Sequence, residues 1–99
     1  MTEQTSTLYA KLLGETARIE WEALQPFFAR GALLWVAPSL DLIEVAVAVA
    51  EDQRDKVAAW LAAGTVEKLS SARAQGFVEA APALWAVVVS PWVLVQDRA

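Results

Sequence analysis

Two carboxylates, Asp41 and Glu44, lie within the apolar stretch ALLWVAPSLDLIEVAVAVA. Desolvation there would raise a carboxyl pKa toward the range useful for acid–base chemistry. The two are three positions apart, so in a strand they face opposite sides and cannot share one ion without a bulge. A plainer assignment has Asp41 accepting from turn amides and Glu44 facing solvent or pairing with Arg18 or Arg30. The chain contains neither histidine nor cysteine. That removes disulfides, thiolate nucleophiles, imidazole bases and nearly all ordinary zinc, copper and haem sites. Ser39 and Ser90 adjoin prolines, but no GxSxG elbow accompanies either. Glu51, Asp52 and Asp55 form an acidic run without the glycine and spaced oxygen donors of a calcium loop, and read better as the start of a helix. No catalytic residue, metal site or cofactor is assigned.

The 99 residues suffice for one domain, 1–99, with residues 1–6 as the place for disorder. Apolar residues make up 57% of the chain and five are tryptophan, above the roughly 45–50% apolar content usual in globular proteins. A small domain has much surface for its volume, so part of this apolar area is expected outside, against a partner. The net charge of −4, with basic residues scattered from Lys11 to Arg98, repels phosphate backbones and anionic lipids. Nucleic acid and membrane surfaces are therefore not expected partners. The opening MTEQTSTLYAKLL lacks the basic region and long apolar run of a secretion signal, which sets a cytoplasmic address as the expectation. The longest apolar run, LWAVVVSPWVLV, has twelve residues, well short of the roughly 20 needed to cross a bilayer as a helix.

Spacing predicts a short helix from Thr7 to Leu13, capped by Thr5 or Ser6, and a second helix carrying Trp21, Leu24, Phe27 and Phe28, disturbed by Pro26. ALLWVAPSLDLIEVAVAVA reads as two strands joined by a turn at Pro38. In the second of them Ile43, Val45, Val47 and Val49 would face the core, leaving a smooth row of Ala46, Ala48 and Ala50. EDQRDKVAAWLAAG is predicted helical, with Asp52 as N-cap, Gly64 past the end, and Val57, Trp60 and Leu61 on one stripe. Thr65–Leu69 reads as a strand. A helix capped by Ser70 or Ser71 follows, with Ala74, Phe77, Val78 and Ala81 as its buried stripe and Pro82 as its stop. The run Leu84–Val95 is predicted to be one central strand, bent at Ser90-Pro91, that leaves Trp92 past the bend near the domain's edge. The fold class is α+β: a small single domain with about four mostly antiparallel strands and helices packed mainly on one face.

ETARIEW, LWVAPSLDLIEVAVAVAED, AAWLAAG and LWAVVVSPWVLVQ together resemble a family of short uncharacterised bacterial proteins known as a domain of unknown function. The resemblance spans nearly the whole chain. It implies a bacterial, single-domain, cytoplasmic protein, and brings no activity, cofactor or catalytic residue.

The surplus of apolar area points first to a non-catalytic module that self-associates, a homodimer being favoured, through Ala46, Ala48, Ala50 and Trp92. An alternative is a small-ligand module with an aromatic pocket and Arg18, Arg30 or Glu44 as orienting groups. A third, an enzyme using Asp41 or Glu44, has the least behind it.

Overall fold

Ser90 and Pro91 turn the long apolar run back on itself, so that it forms two strands, Ala83–Val89 and Trp92–Arg98. These pair antiparallel from Val89↔Trp92 to Ala83↔Arg98. The Ser90–Pro91 peptide is cis, and a cis proline is accommodated at the third position of a tight turn. The expectation of one bent strand is corrected by this turn.

The computed structural model describes residues 2–98, with side chains from residue 7 onward. Its elements are α1 (Thr2–Glu15), β1 (Ala17–Ile19), α2 (Trp21–Ala29), β2 (Leu33–Val36), α3 (Leu42–Ala50), α4 (Arg54–Ala63), β3 (Val66–Lys68), α5 (Ser71–Ala80), β4 (Ala83–Val89) and β5 (Trp92–Arg98). The expectations of disorder over residues 1–6 and of a cap at Thr5 or Ser6 lie outside the described side chains. The sheet has five strands in the order β1-β4-β5-β2-β3. All its pairs are antiparallel except β5 with β2, which run parallel. The added strand, β1, is only three residues long, too short for an alternation pattern to announce it.

Successive residues of a strand point to opposite faces, and here both faces are apolar. Leu34, Val36, Val66, Val87 and Leu94 meet α1 and α3 on one side. Leu33, Trp35, Leu84, Val93 and Val95 meet α2 and α5 on the other. The expectation of helices mainly on one face is thus corrected to helices on both. A sheet covered on both sides explains why residues 84–95, which span β4 and the first half of β5, are nearly unbroken in apolar character.

A further correction concerns residues 42–50, predicted as a strand and found as α3. Asp41 closes its N-terminus: Oδ1 accepts from the amides of Ile43 at 2.9 Å and Glu44 at 3.4 Å. Such a cap contributes about 1 kcal/mol, and the alanines favour the helix intrinsically. The helix is buried on most sides, including Ala46 at 0% and Ala48 at 1% exposure. The Val–Ala alternation therefore carries no information about which face is wet. Positions two apart in a helix lie about 200° apart around the axis. Ala46, Ala48 and Ala50 consequently form no row: the first two are interior and Ala50 is exposed. Of the three, Ala50 alone lies on the surface of this chain.

Asp52 does not cap α4. It occupies the left-handed region at φ 55° between α3 and α4, while Gln53 holds the N-cap position without a side-chain bond. Gly64, left-handed at φ 76°, ends α4 as expected. Ser70 caps α5 by accepting from the Arg73 amide at 3.1 Å. Of the stripe predicted for α5, Ala74 and Phe77 are buried, whereas Val78 and Ala81 are exposed.

Helix α1 is tied to the start of α3 by the Tyr9 hydroxyl, which donates to Asp41 Oδ2 at 2.6 Å. That hydrogen bond is the main cause holding the Tyr9 pKa above its ordinary 10.0; burial and the charges of Asp41 and Glu44 add to it. Only the protonated phenol donates. Its contribution to stability is therefore complete below pH 10.0 and is lost as the pH rises through the higher folded value. Tyr9 is the sole tyrosine, so its ultraviolet titration is a clean readout. The expected midpoint lies above 10.0 in the native chain and moves down toward 10.0 in Asp41→Asn, which keeps a capping oxygen but loses the charge.

Candidate ligand-binding site

Helix α4 has an apolar stripe but no fully buried residue. Val57 and Trp60 are half-buried, and Leu61 is 48% exposed. Between this helix and the sheet lies a groove of about 540 Å³, within the roughly 300–1,000 Å³ typical of small-molecule sites. Its buried base is Leu34 of β2 and Val66 of β3. Val49 at the end of α3 and Val57, Ala58 and Leu61 of α4 form further apolar lining, and the hairpin turn contributes Pro91 and Trp92. Asp52, Arg54, Lys68 and Ser90 supply the polar lining. A smaller recess of about 440 Å³ adjoins the same turn, lined by Phe27, Arg30, Ala32, Val88 and Val93 together with Ser90, Pro91 and Trp92.

The tip of the β4–β5 hairpin therefore contributes to two concave surfaces, and Trp92 belongs to both. Trp92 opens β5, the middle strand of the sheet, and is half-buried against the α3-side core. Its position is corrected from the domain's edge to the end of a central strand. Elsewhere Trp35 is buried, donates from Nε1 to Asp97 Oδ1 at 3.2 Å, and carries the Arg73 guanidinium 3.5 Å above its ring. Arg73 is also paired with Glu67 at 3.3 Å. Trp21 packs on Phe28 and Phe77, and Trp85 lies beneath Arg98. These rings have partners within the fold. Trp92 lines the groove beside α4, while Trp21 and Arg18 line a separate, smaller recess of about 150 Å³.

The polar residues singled out from the sequence do not converge. Asp41 and Glu44 sit at the first turn of α3, on adjacent helical faces rather than opposite sides of a strand. Arg18 is exposed on the edge strand β1. Arg30 lies past α2, its Nε donating to the Pro26 carbonyl at 3.4 Å and its guanidinium 4.9 Å from the Phe27 ring centre, beside the smaller recess. Asp52 of the acidic run pairs with Arg54 at 3.2 Å. Among the described residues no group of three or more acidic side chains is placed to hold a metal ion, and no helix is long and apolar enough to cross a membrane. Sequence reasoning missed Lys68, Ala58 and Val49. The incompletely buried stripe Val57-Trp60-Leu61 was the available signal for this side of the molecule.

The family model described as "Protein of unknown function (DUF2288)" matches residues 7–97. The chain belongs to the DUF2288 family. No curated protein matches it at a significant level. A solved structure that resembles this DUF2288 chain is the NMR solution structure of PA1075 from Pseudomonas aeruginosa. It is 66% identical, spans 100% of this chain and 92% of that one, and has a TM-score of 0.84. The likeness in fold and sequence thus extends over both layers of helices and the hairpin that shapes the DUF2288 groove.

Proposed function

We propose that this DUF2288 chain is a non-catalytic, cytoplasmic binding module whose groove receives a small, largely apolar molecule. The observation that carries this is the groove itself: concave and mostly apolar, with a half-buried tryptophan at the hairpin turn and a few polar groups. Acid–base chemistry has no comparable support, since Asp52 is the one carboxylate in the groove's lining, it is paired with Arg54, and the chain has no histidine or cysteine.

Ala58 is exposed on α4 and lines the groove, so Ala58→Phe fills the groove without disturbing the core. In a thermal-shift screen of apolar metabolites, the native chain is expected to be stabilised by at least one compound. A ligand at about 100 times its Kd adds roughly 2.7 kcal/mol. Ala58→Phe should keep its own melting temperature and lose the response. A screen in which no apolar compound stabilises the native chain overturns the proposal.

A second reading, self-association, is favoured by Val88 and Leu61, which are 56% and 48% exposed and line the two hollows beside the hairpin tip. It replaces the alanine row with the tip as the contact. Sedimentation velocity distinguishes it: a concentration-dependent dimer abolished by Val88→Lys supports this reading, and a monomer at high concentration removes it.

A further inference from the structure

We infer that the groove's ligand is an amphipathic monocarboxylate, its apolar tail lying along Val57, Leu61 and Trp92 and its carboxylate meeting Lys68. This rests on the groove being a ligand site, and adds the ligand's chemistry. Three charged side chains line the groove, and two of them neutralise each other: Arg54 Nε lies 3.2 Å from Asp52 Oδ2. Lys68 has no ion-pair or hydrogen-bond partner among the described residues. Its strand neighbour Glu67 points to the opposite face of the sheet, where it is held by Arg73. The lining thus keeps one positive charge on a chain whose net charge is −4.

The lysine is also confined. A Cβ on Gly31, in the turn before β2, would stand 3.5 Å from Lys68 Nζ and 3.7 Å from Cε, so the ammonium rests beside bare backbone. Lys68 belongs to the edge strand β3, paired with Leu34 in the base of the groove. Its aliphatic stem can extend the apolar wall while its charge stays in water. One compact ammonium matches one carboxylate. A phosphate dianion would ask for a second unpaired cation, and Arg54 is already held by Asp52, while most of the remaining lining is aliphatic and aromatic.

The test compares decanoate with 1-decanol, below their aggregation limits, by calorimetric titration of the native chain and of Lys68→Met. The side chain at 68 is exposed, so the substitution leaves the core untouched. At low salt the native chain is expected to bind decanoate about fivefold more tightly than decanol, the scale of a solvent-exposed charge pair. Lys68→Met should bind the two alike, with decanol unchanged from the native chain. Equal affinities in the native chain overturn the carboxylate assignment while leaving an apolar groove, and tighter binding of decyl phosphate than of decanoate overturns it as well. Binding of neither probe overturns the groove as a ligand site and this inference with it. Affinity that weakens as protein concentration rises identifies a second copy as the occupant and equally overturns it.

Discussion

Ala46→Lys is expected to unfold the domain, whereas Ala50→Lys should leave it folded. The two alanines are four residues apart in α3, yet Ala46 is 0% exposed within the α3-side core and Ala50 is exposed in the last turn. A lysine at 46 adds three carbons to a filled space and an ammonium with no counter-charge. Burying an unpaired charge and overpacking the core together cost on the order of 5 kcal/mol or more. That is comparable with the whole stability expected of a domain, roughly 5–15 kcal/mol. At 50 the same side chain reaches water and complements the negative end of the helix dipole, within about 1 kcal/mol of neutral. Far-UV circular dichroism with urea titration reads both. Equal behaviour of the two variants would mean that 42–50 is a strand with its alanines on one face, and the description of α3 would fall.

Gln96→Leu is expected to cost about 3 kcal/mol, an unusually large effect for one polar residue. Gln96 is 2% exposed on β5, and its Nε2 donates to the carbonyls of Ala37 at 2.9 Å and Leu40 at 2.8 Å. Those carbonyls belong to the loop that carries the chain from β2 to Asp41 and so aims α3. Leucine matches the volume and removes both bonds, leaving the Leu40 carbonyl without its side-chain donor at about 1–3 kcal/mol and the Ala37 carbonyl with the Leu40 amide alone. Gln96→Glu is expected to cost more still, because it sets carboxylate oxygens against two carbonyls. In a domain of this size the leucine variant should melt some 12–20 °C lower, with faster amide exchange around Leu40. A loss below about 1 kcal/mol would show that the loop holds its path without this side chain.

Elements with a local chemical marker were legible in the sequence. Ser70 announced α5 and Gly64 closed α4, because a cap or a left-handed glycine acts on its immediate neighbours. What escaped depended on tertiary surroundings. α3 is enclosed by α1 and the sheet, which erases the polar face that would have revealed its period. The tight turn at Ser90-Pro91 escaped because the common two-residue hairpin turns call for positive-φ residues, which serine and proline are not. Of the groove, Trp92 stood out in the sequence as an aromatic past a bend, though as a contact for a partner and not as groove lining. Lys68, Val49 and Ala58 look ordinary in the sequence, and only the stacking of α4 beside β3 and the hairpin makes them neighbours.

The position of β5 within the sheet has a consequence for how the protein is made. β5 follows every other strand in the chain, yet it lies between β4 and β2, its parallel partner being some 60 residues earlier at Leu33–Trp35. During synthesis, β2 and β4 must wait with unpaired edges until residues 92–98 leave the ribosome, since pairing across so long a loop comes late. A chain without residues 92–98 would leave those edges unpaired together with the aliphatic faces they carry, an arrangement that favours aggregation.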